Sequence, residues 1–410
     1  MKSAHAHRLT LLASILLTLP LAHPRAEDTV VFRKAVTDAA TVTENGRIRE
    51  DSYKQIILAK GGVEIPIKRE LVVSAKFEAM PADMESVPEL MDGEQWDDAM
   101  KALGKSKALA DKVDPLQSKP ILQYVFFSLG ELQRRKGEGK TAAETYKKLL
   151  AFDPTTRFYF DANLGVARAL EDSGELAAAL DQYKTAYADF KGKIAESGAA
   201  APAVALAGFG VLRVQVLTAL RLNDPAKAKG VIDASDAKLE EMMNEVKQLG
   251  PLAITNDDVR VAAKEVRALI WRGQGKWKEL VDFLDKQILE SQQKNQKQRL
   301  EQLYGQRADA QFELKVWNAA VLDYLRLALV YEPAGEMGAK ANLRAGICFI
   351  NMKGADWKER AQKHLAQAQK LNVEPWSKQA SDEFKKLQAE ASAAPATPAA
   401  APAKPAAAGK

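Results

Sequence analysis

QYVFFSLGELQRRKGEGKTAAETYKKLLAFDPTT, residues 123–156, decides how the rest of the chain is read. Two apolar-periodic stretches flank a turn at Gly137-Glu138-Gly139. The first carries Phe126, Leu129 and Gly130; the second carries Ala142 and Tyr146; Pro154 follows. Two helices folded back on one another need small residues where their backbones come closest, and Gly130 and Ala142 supply them. Phe126, Leu129 and Tyr146 then fill the space beside that contact, and the proline stops the second helix.

The second half of this pattern, a small residue four places before a bulky one, recurs along the chain. The pairs are Ala99/Leu103, Ala142/Tyr146, Ala179/Tyr183, Ala228/Ile232, Leu280/Leu284, Ala320/Tyr324 and Ala361/Leu365. Trp96, Trp277, Trp317 and Trp357 each stand three or four residues ahead of such a pair, the last three 40 residues apart. Leu176 holds the equivalent place in the Gly174-Glu175-Leu176 turn. A large ring there predicts the start of each second helix, capping the hairpin core beside the turn.

These residues match the tetratricopeptide signature W-x2-L-G-x2-Y, A-x3-F, P over about 34 residues. Phe126-x2-Leu129-Gly130, Ala142-x3-Tyr146 and Asp153-Pro154 fit it, and Gln133 departs where a tyrosine is expected. The chain thus resembles a tetratricopeptide-repeat protein. The resemblance implies a mainly α, solenoid-like array of about seven helical hairpins over residues 81–388, longer than the consensus near 228 and 280. SGAAAPAVALAGFG (197–210) is expected to be a loop leading into a helix, and SQQKNQKQRLEQ (291–302) an exposed helix extension.

Residues 27–80 differ in kind. β-branched runs are punctuated by Asn45-Gly46 and Gly61-Gly62, both read as hairpin turns, giving four or five short strands. They form a small β unit, either an SH3- or Sm-like barrel or a meander packed on the helices. Residues 1–26 read as a signal peptide: a basic start, the apolar LTLLASILLTLPLA, then small or polar residues. No later apolar run is expected to approach a membrane span. Residues 389–410 are an Ala/Pro-rich tail without the large apolar groups that would offset the entropy of ordering it.

The net charge of +5 includes Lys2, Arg8 and Arg25 of the leader. About +2 remains without them, no electrostatic case for nucleic acid. Cys348 is the one cysteine, and His364 the one histidine beyond the leader, so nucleophilic or His-based metal chemistry has almost nothing to build on. Cys348 in AGICFINM reads as a small core hydrophobe, and His364 as a surface or semi-buried structural imidazole. GEGKT (137–141) lacks the first P-loop glycine and follows a helix, so it reads as a turn.

The expectation is a non-enzymatic scaffold for protein partners in the bacterial cell envelope, periplasmic or secreted, with no catalytic residue, cofactor or metal. The alternative is a chaperone-like carrier of exported polypeptide or polysaccharide. The candidate partner-binding residues are Tyr124, Phe127, Arg134 and Arg135, with Glu131 between them: at helical spacing they fall off the hairpin core on the first-helix face.

Overall fold

A computed structural model describes residues 27–393, apart from 79, 94, 114, 294–296 and 332–334. The leader therefore lies outside the described residues, as does the tail from 394. The chain divides into two compact units: residues up to Gly208 with Val246–Asn256, and Phe209–Glu245 with Asp257 onward.

The β unit is one open antiparallel sheet, β1 (Asp28–Arg33), β2 (Thr41–Asp51), β3 (Gln55–Lys60), β4 (Val63–Lys68) and β5 (Val72–Lys76), in the order β4-β3-β2-β1-β5. It is a meander whose last strand returns to the outer side of β1. Gly61 and Gly62, both at positive φ, make the β3–β4 turn. Asn45-Gly46 makes none. Asn45 pairs with Thr29 and Gly46 with Asp28, in the middle of the long β2. That strand pairs with β1 through residues 41–46 and with β3 through 47–51, and at the changeover a Cβ on Gly46 would lie 2.6 Å from the Ala59 carbonyl oxygen. The glycine serves a close approach between strands instead of a reversal. The reversal comes at Ser52, whose hydroxyl accepts hydrogen bonds from the Lys54 and Gln55 amides. Val30, Ile48, Ile56, Leu58, Ile67 and Phe77 form the small core.

The helices begin with two short segments, α1 (Ala82–Glu85) and α2 (Val87–Asp92), and α3 (Trp96–Ala110). The pairs α4/α5 (Pro115–Arg135, Gly139–Phe152) and α6/α7 (Tyr159–Asp172, Leu176–Lys193) follow. Next come α8 (Ala200–Leu220), α9 (Pro225–Gln248), the short α10 (Pro251–Ile254), and α11/α12 (Asp257–Gln274, Trp277–Gln293). The pairs α13/α14 (Lys297–Glu313, Trp317–Arg326) and α15/α16 (Gly335–Met352, Trp357–Lys370) lead to α17 (Trp376–Ala393). Each small/bulky pair lies on its own second helix: α3, α5, α7, α9, α12, α14 and α16. All of these residues are buried except Ala228, which is half-buried. Trp96, Leu176, Trp277, Trp317 and Trp357 are each the first residue of a helix. The four tryptophan rings pack on the core from its rim; Trp317 meets the Phe312 ring edge-on at 5.1 Å.

Four further expectations need correction. The stretch at 197–210 is helical from Ala200, because its small residues let α8 sit buried among its neighbours. Residues 291–302 are the end of α12 and the start of α13, not one extension, and Ser291 and Leu300 are buried. Among the described residues Ala200–Leu220 is long and apolar enough to cross a membrane, but 61% of its most apolar window is buried inside the protein, as in a core helix. The last helix continues to Ala393, past the assigned start of the tail.

Candidate functional site

Helical spacing aligns Tyr124, Phe127, Glu131, Arg134 and Arg135 on one side of α4, and the structure divides them between two environments. Phe127 stacks flat on Phe158, ring centres 4.4 Å apart. Tyr124 meets Phe158 edge-on at 6.1 Å, and its hydroxyl donates to the Met84 carbonyl. The Arg157 guanidinium lies 4.5 Å from the Phe158 ring and 5.6 Å from Phe77 of the β unit. It also pairs with Asp51 at the end of β2, which Arg69 holds from the other side at 2.7 Å. The two aromatic candidates therefore belong to a layer that carries the β unit. Further bonds complete the docking: the Tyr53 amide donates to the Thr155 carbonyl, and the Ser197 hydroxyl to the Tyr53 carbonyl.

Arg134 and Arg135 diverge. Arg134 bridges Glu131 and Asp172, each at 3.1 Å, and Arg135 pairs with Asp92 at 2.6 Å. Both keep part of the guanidinium in solvent, at 25% and 32% side-chain exposure. Glu131 also accepts a hydrogen bond from the Tyr146 hydroxyl. Burial works to raise the Glu131 carboxyl, but the charge of Arg134 and the Tyr146 hydroxyl prevail and hold it below the usual range. Arg157 and Phe158 did not stand out as site residues in the sequence; the signal for them is RFYF (157–160), an arginine at the head of an aromatic run shortly after the proline.

In the second unit the first helices α11, α13 and α15 frame two clefts. One, about 520 Å³, is lined by Asp257, Arg260 and Lys264 of α11, Gln287 and Glu290 of α12, and Arg299 of α13. The other, about 180 Å³, is lined by Gln302, Gly305, Gln306 and Asp309 of α13, with Met337 and Lys340 of α15. Arg299, Gln302, Gln306 and Asp309 recur at helical spacing, so a single stripe of α13 serves both clefts. Gly305 contributes no side chain, and that absence helps to open the smaller one. Asp309 is fixed by the Tyr324 hydroxyl, which donates to it at 2.7 Å, and by an ion pair with Lys340.

That tyrosine contact repeats. Tyr146 donates to Glu131, Tyr183 to Glu171 at 3.0 Å, and Tyr324 to Asp309. Each time the bulky residue of the second helix reaches through the hairpin to a carboxylate on the first. Gly130 and Gly165 sandwich the Tyr146 ring, which a Cβ on either would approach within 2.7 Å. The helical part of the chain is a tetratricopeptide-like solenoid of antiparallel helical hairpins. No protein-family model matches the chain, and no curated protein matches it. Solved structures do. A tetratricopeptide repeat protein from Parabacteroides merdae is 18% identical, covering 76% of this chain and all of that one, with a TM-score of 0.41. The hetero-tetramer Cut9–Hcn1 of the APC/C matches at 13% identity over 71% of this chain and 52% of that one, TM-score 0.43. The P58(IPK) tetratricopeptide domain matches at 13% over 75% and 98%, TM-score 0.27.

The reactive residue types occupy packed positions. Cys348 is fully buried, and burial pushes its thiol up to about 12 against the pull of Arg344. His364 is buried, more so than a surface or semi-buried imidazole: Nδ1 lies 3.0 Å from Asn342 Oδ1, and the ring stacks on Phe349. Gly137, at positive φ, lies in the turn before α5, and Gly139 opens that helix, where a Cβ would meet the Ala169 carbonyl oxygen at 2.4 Å. Among the described residues no three His, Cys, Asp or Glu side chains gather where they could hold a metal.

Proposed function

We propose that this protein is a non-enzymatic scaffold that holds an extended polypeptide segment on the first helices of its repeats, and that it works in the bacterial cell envelope after export through its N-terminal leader. The observation that carries the reading is the α13 stripe with its glycine-opened cleft. Gln302 and Gln306 offer amide donors and acceptors to a peptide backbone, while Met337 and Leu327 give a side chain an apolar wall. Asp309 and Lys340 are already paired, so they orient a ligand without demanding a charge from it. On α4, in the first unit, the partly exposed Arg134 and Arg135 form a separate contact of their own, for which Tyr124 and Phe127 provide the packed base. The signal-like pattern of residues 1–26 supports export, and the burial of Cys348 and His364 supports a role without catalysis.

The second reading, a chaperone-like carrier of exported polypeptide or polysaccharide, is favoured by the larger cleft, whose lining is mostly charged or amide-bearing. Affinity capture from cross-linked envelope extract separates the two. The bait is the chain from about residue 27, with Gly305→Leu and Arg134→Glu/Arg135→Glu as controls. One dominant protein lost in the controls supports the scaffold. Many unfolded exported chains, or glycan without protein, supports the carrier. Capture unchanged in every control removes both surfaces from the site.

A further inference from the structure

In the second unit the turns α11–α12, α13–α14 and α15–α16 lie on the same edge of the repeat stack, because successive helices alternate in direction. Two of the three break the rules for an ordinary solvent turn. Leu314, Val316 and Met352 are 39%, 43% and 40% exposed, apolar side chains in segments that are normally polar. The left-handed residue that ends the first helix is Gly275 in the α11–α12 turn (φ 69°), but Lys315 (φ 59°) and Lys353 (φ 48°) in the next two. Glycine adopts that conformation freely and lysine does not. The lysines therefore occupy strained positions, and a strained residue on an exposed edge points to use of its side chain. Neither has an ion-pair partner among the described residues, and Lys276, Lys278 and Lys358 are exposed on the same edge, where lysines outnumber the exposed acids Glu279, Asp356 and Glu359. Behind this row sit the half-buried rings of Trp277, Trp317 and Trp357, anchored in the core.

We infer that this edge lies against the surface of an anionic lipid bilayer. Lysines at the headgroup level, short apolar side chains dipping below it and tryptophans at the boundary are the combination such an interface selects. A protein partner would use the same apolar groups but has no need of ion-pair-free lysines held at strained backbone positions in two consecutive turns.

The test is flotation of the full chain with two kinds of vesicle, phosphatidylcholine alone and phosphatidylcholine mixed with phosphatidylglycerol. Binding is expected only to the mixed vesicles, and to weaken as salt rises. Lys315→Gly and Lys353→Gly are chosen because they relieve backbone strain: the thermal midpoint should hold or rise, while vesicle affinity falls about fivefold for each. Leu314→Ser/Val316→Ser/Met352→Ser should weaken binding at high salt as well, where charge contributes least. No binding, equal binding to both vesicle types, or binding that the two glycine variants leave unchanged overturns the inference. So does capture of a soluble protein by this edge without vesicle binding.

Discussion

At Gly130 there is no room for a side chain: the nearest atom to a Cβ would be Tyr146 Cε1 at 2.6 Å, in a ring that Gly165 confines from the other side. Gly130→Ala should therefore destabilise the chain by about 1–3 kcal/mol through overpacking. Gly104→Ala is the matched control, since that exposed helical glycine has nothing within 4 Å of an added Cβ. It should be neutral or stabilising by up to about 1 kcal/mol. Denaturant midpoints for the two variants decide the matter, and equal losses would mean that the ring can move aside. His364 carries a pH signature. Burial, with Lys363 beside it, holds the imidazole below its ordinary value. The unfolded chain then takes up the proton first, near pH ~6.5. The contribution of the neutral ring to stability is complete above that pH and is lost as the pH falls toward the folded value. Replacing it by His364→Gln should flatten the slope of stability between about pH 7 and about pH 5. An unchanged slope would assign the acid loss to other groups.

Among the elements, the junction of the sheet with the helices offers the sharpest prediction. Asp51 is 3% exposed and is the carboxylate that both Arg157 and Arg69 face. Asp51→Ala leaves Arg157 buried without its counter-charge, at a cost of about 3–5 kcal/mol. Hydrogen exchange should show the loss first at Tyr53, whose amide donates across the junction to the Thr155 carbonyl. Exchange rising uniformly instead would show that the sheet is not held by this pair. Elements were legible wherever one rule had no competitor. A tryptophan ahead of a small residue marked the head of four second helices, because only that rim position pairs a turn with an open side of the core. Asn45-Gly46 misled because a glycine that bends a chain and a glycine that admits a neighbouring strand look alike in one sequence. The choice depends on Ala59, which lies outside any local window. The alanines of α8 misled for a related reason, since small residues read as loop when the neighbours that bury them are unseen.

On the scale of the whole molecule, the fold was more legible than the site. Repetition multiplies a weak local signal, so seven imperfect copies of one hairpin outweigh the misreading of any single copy. A binding face receives no such averaging. Helical spacing put Tyr124, Phe127, Arg134 and Arg135 on one side of α4, but their partners Phe158, Asp172 and Asp92 come from other elements. The stripe on α13 needed α15 before its cleft existed. The same architecture limits how far damage spreads, because each hairpin packs chiefly on its neighbours in a repeat array. Gly346→Ala tests this. A Cβ there would lie 2.8 Å from Leu365 Cγ and 3.3 Å from the Ala361 carbonyl oxygen, wedging α15 from α16. Exchange should accelerate in α15, α16 and α17, which share one core, while the amides of β1, β2 and β3 keep their protection. If the sheet amides accelerate by the same factor as α16, the chain opens as one cooperative body, and stability cannot be apportioned repeat by repeat.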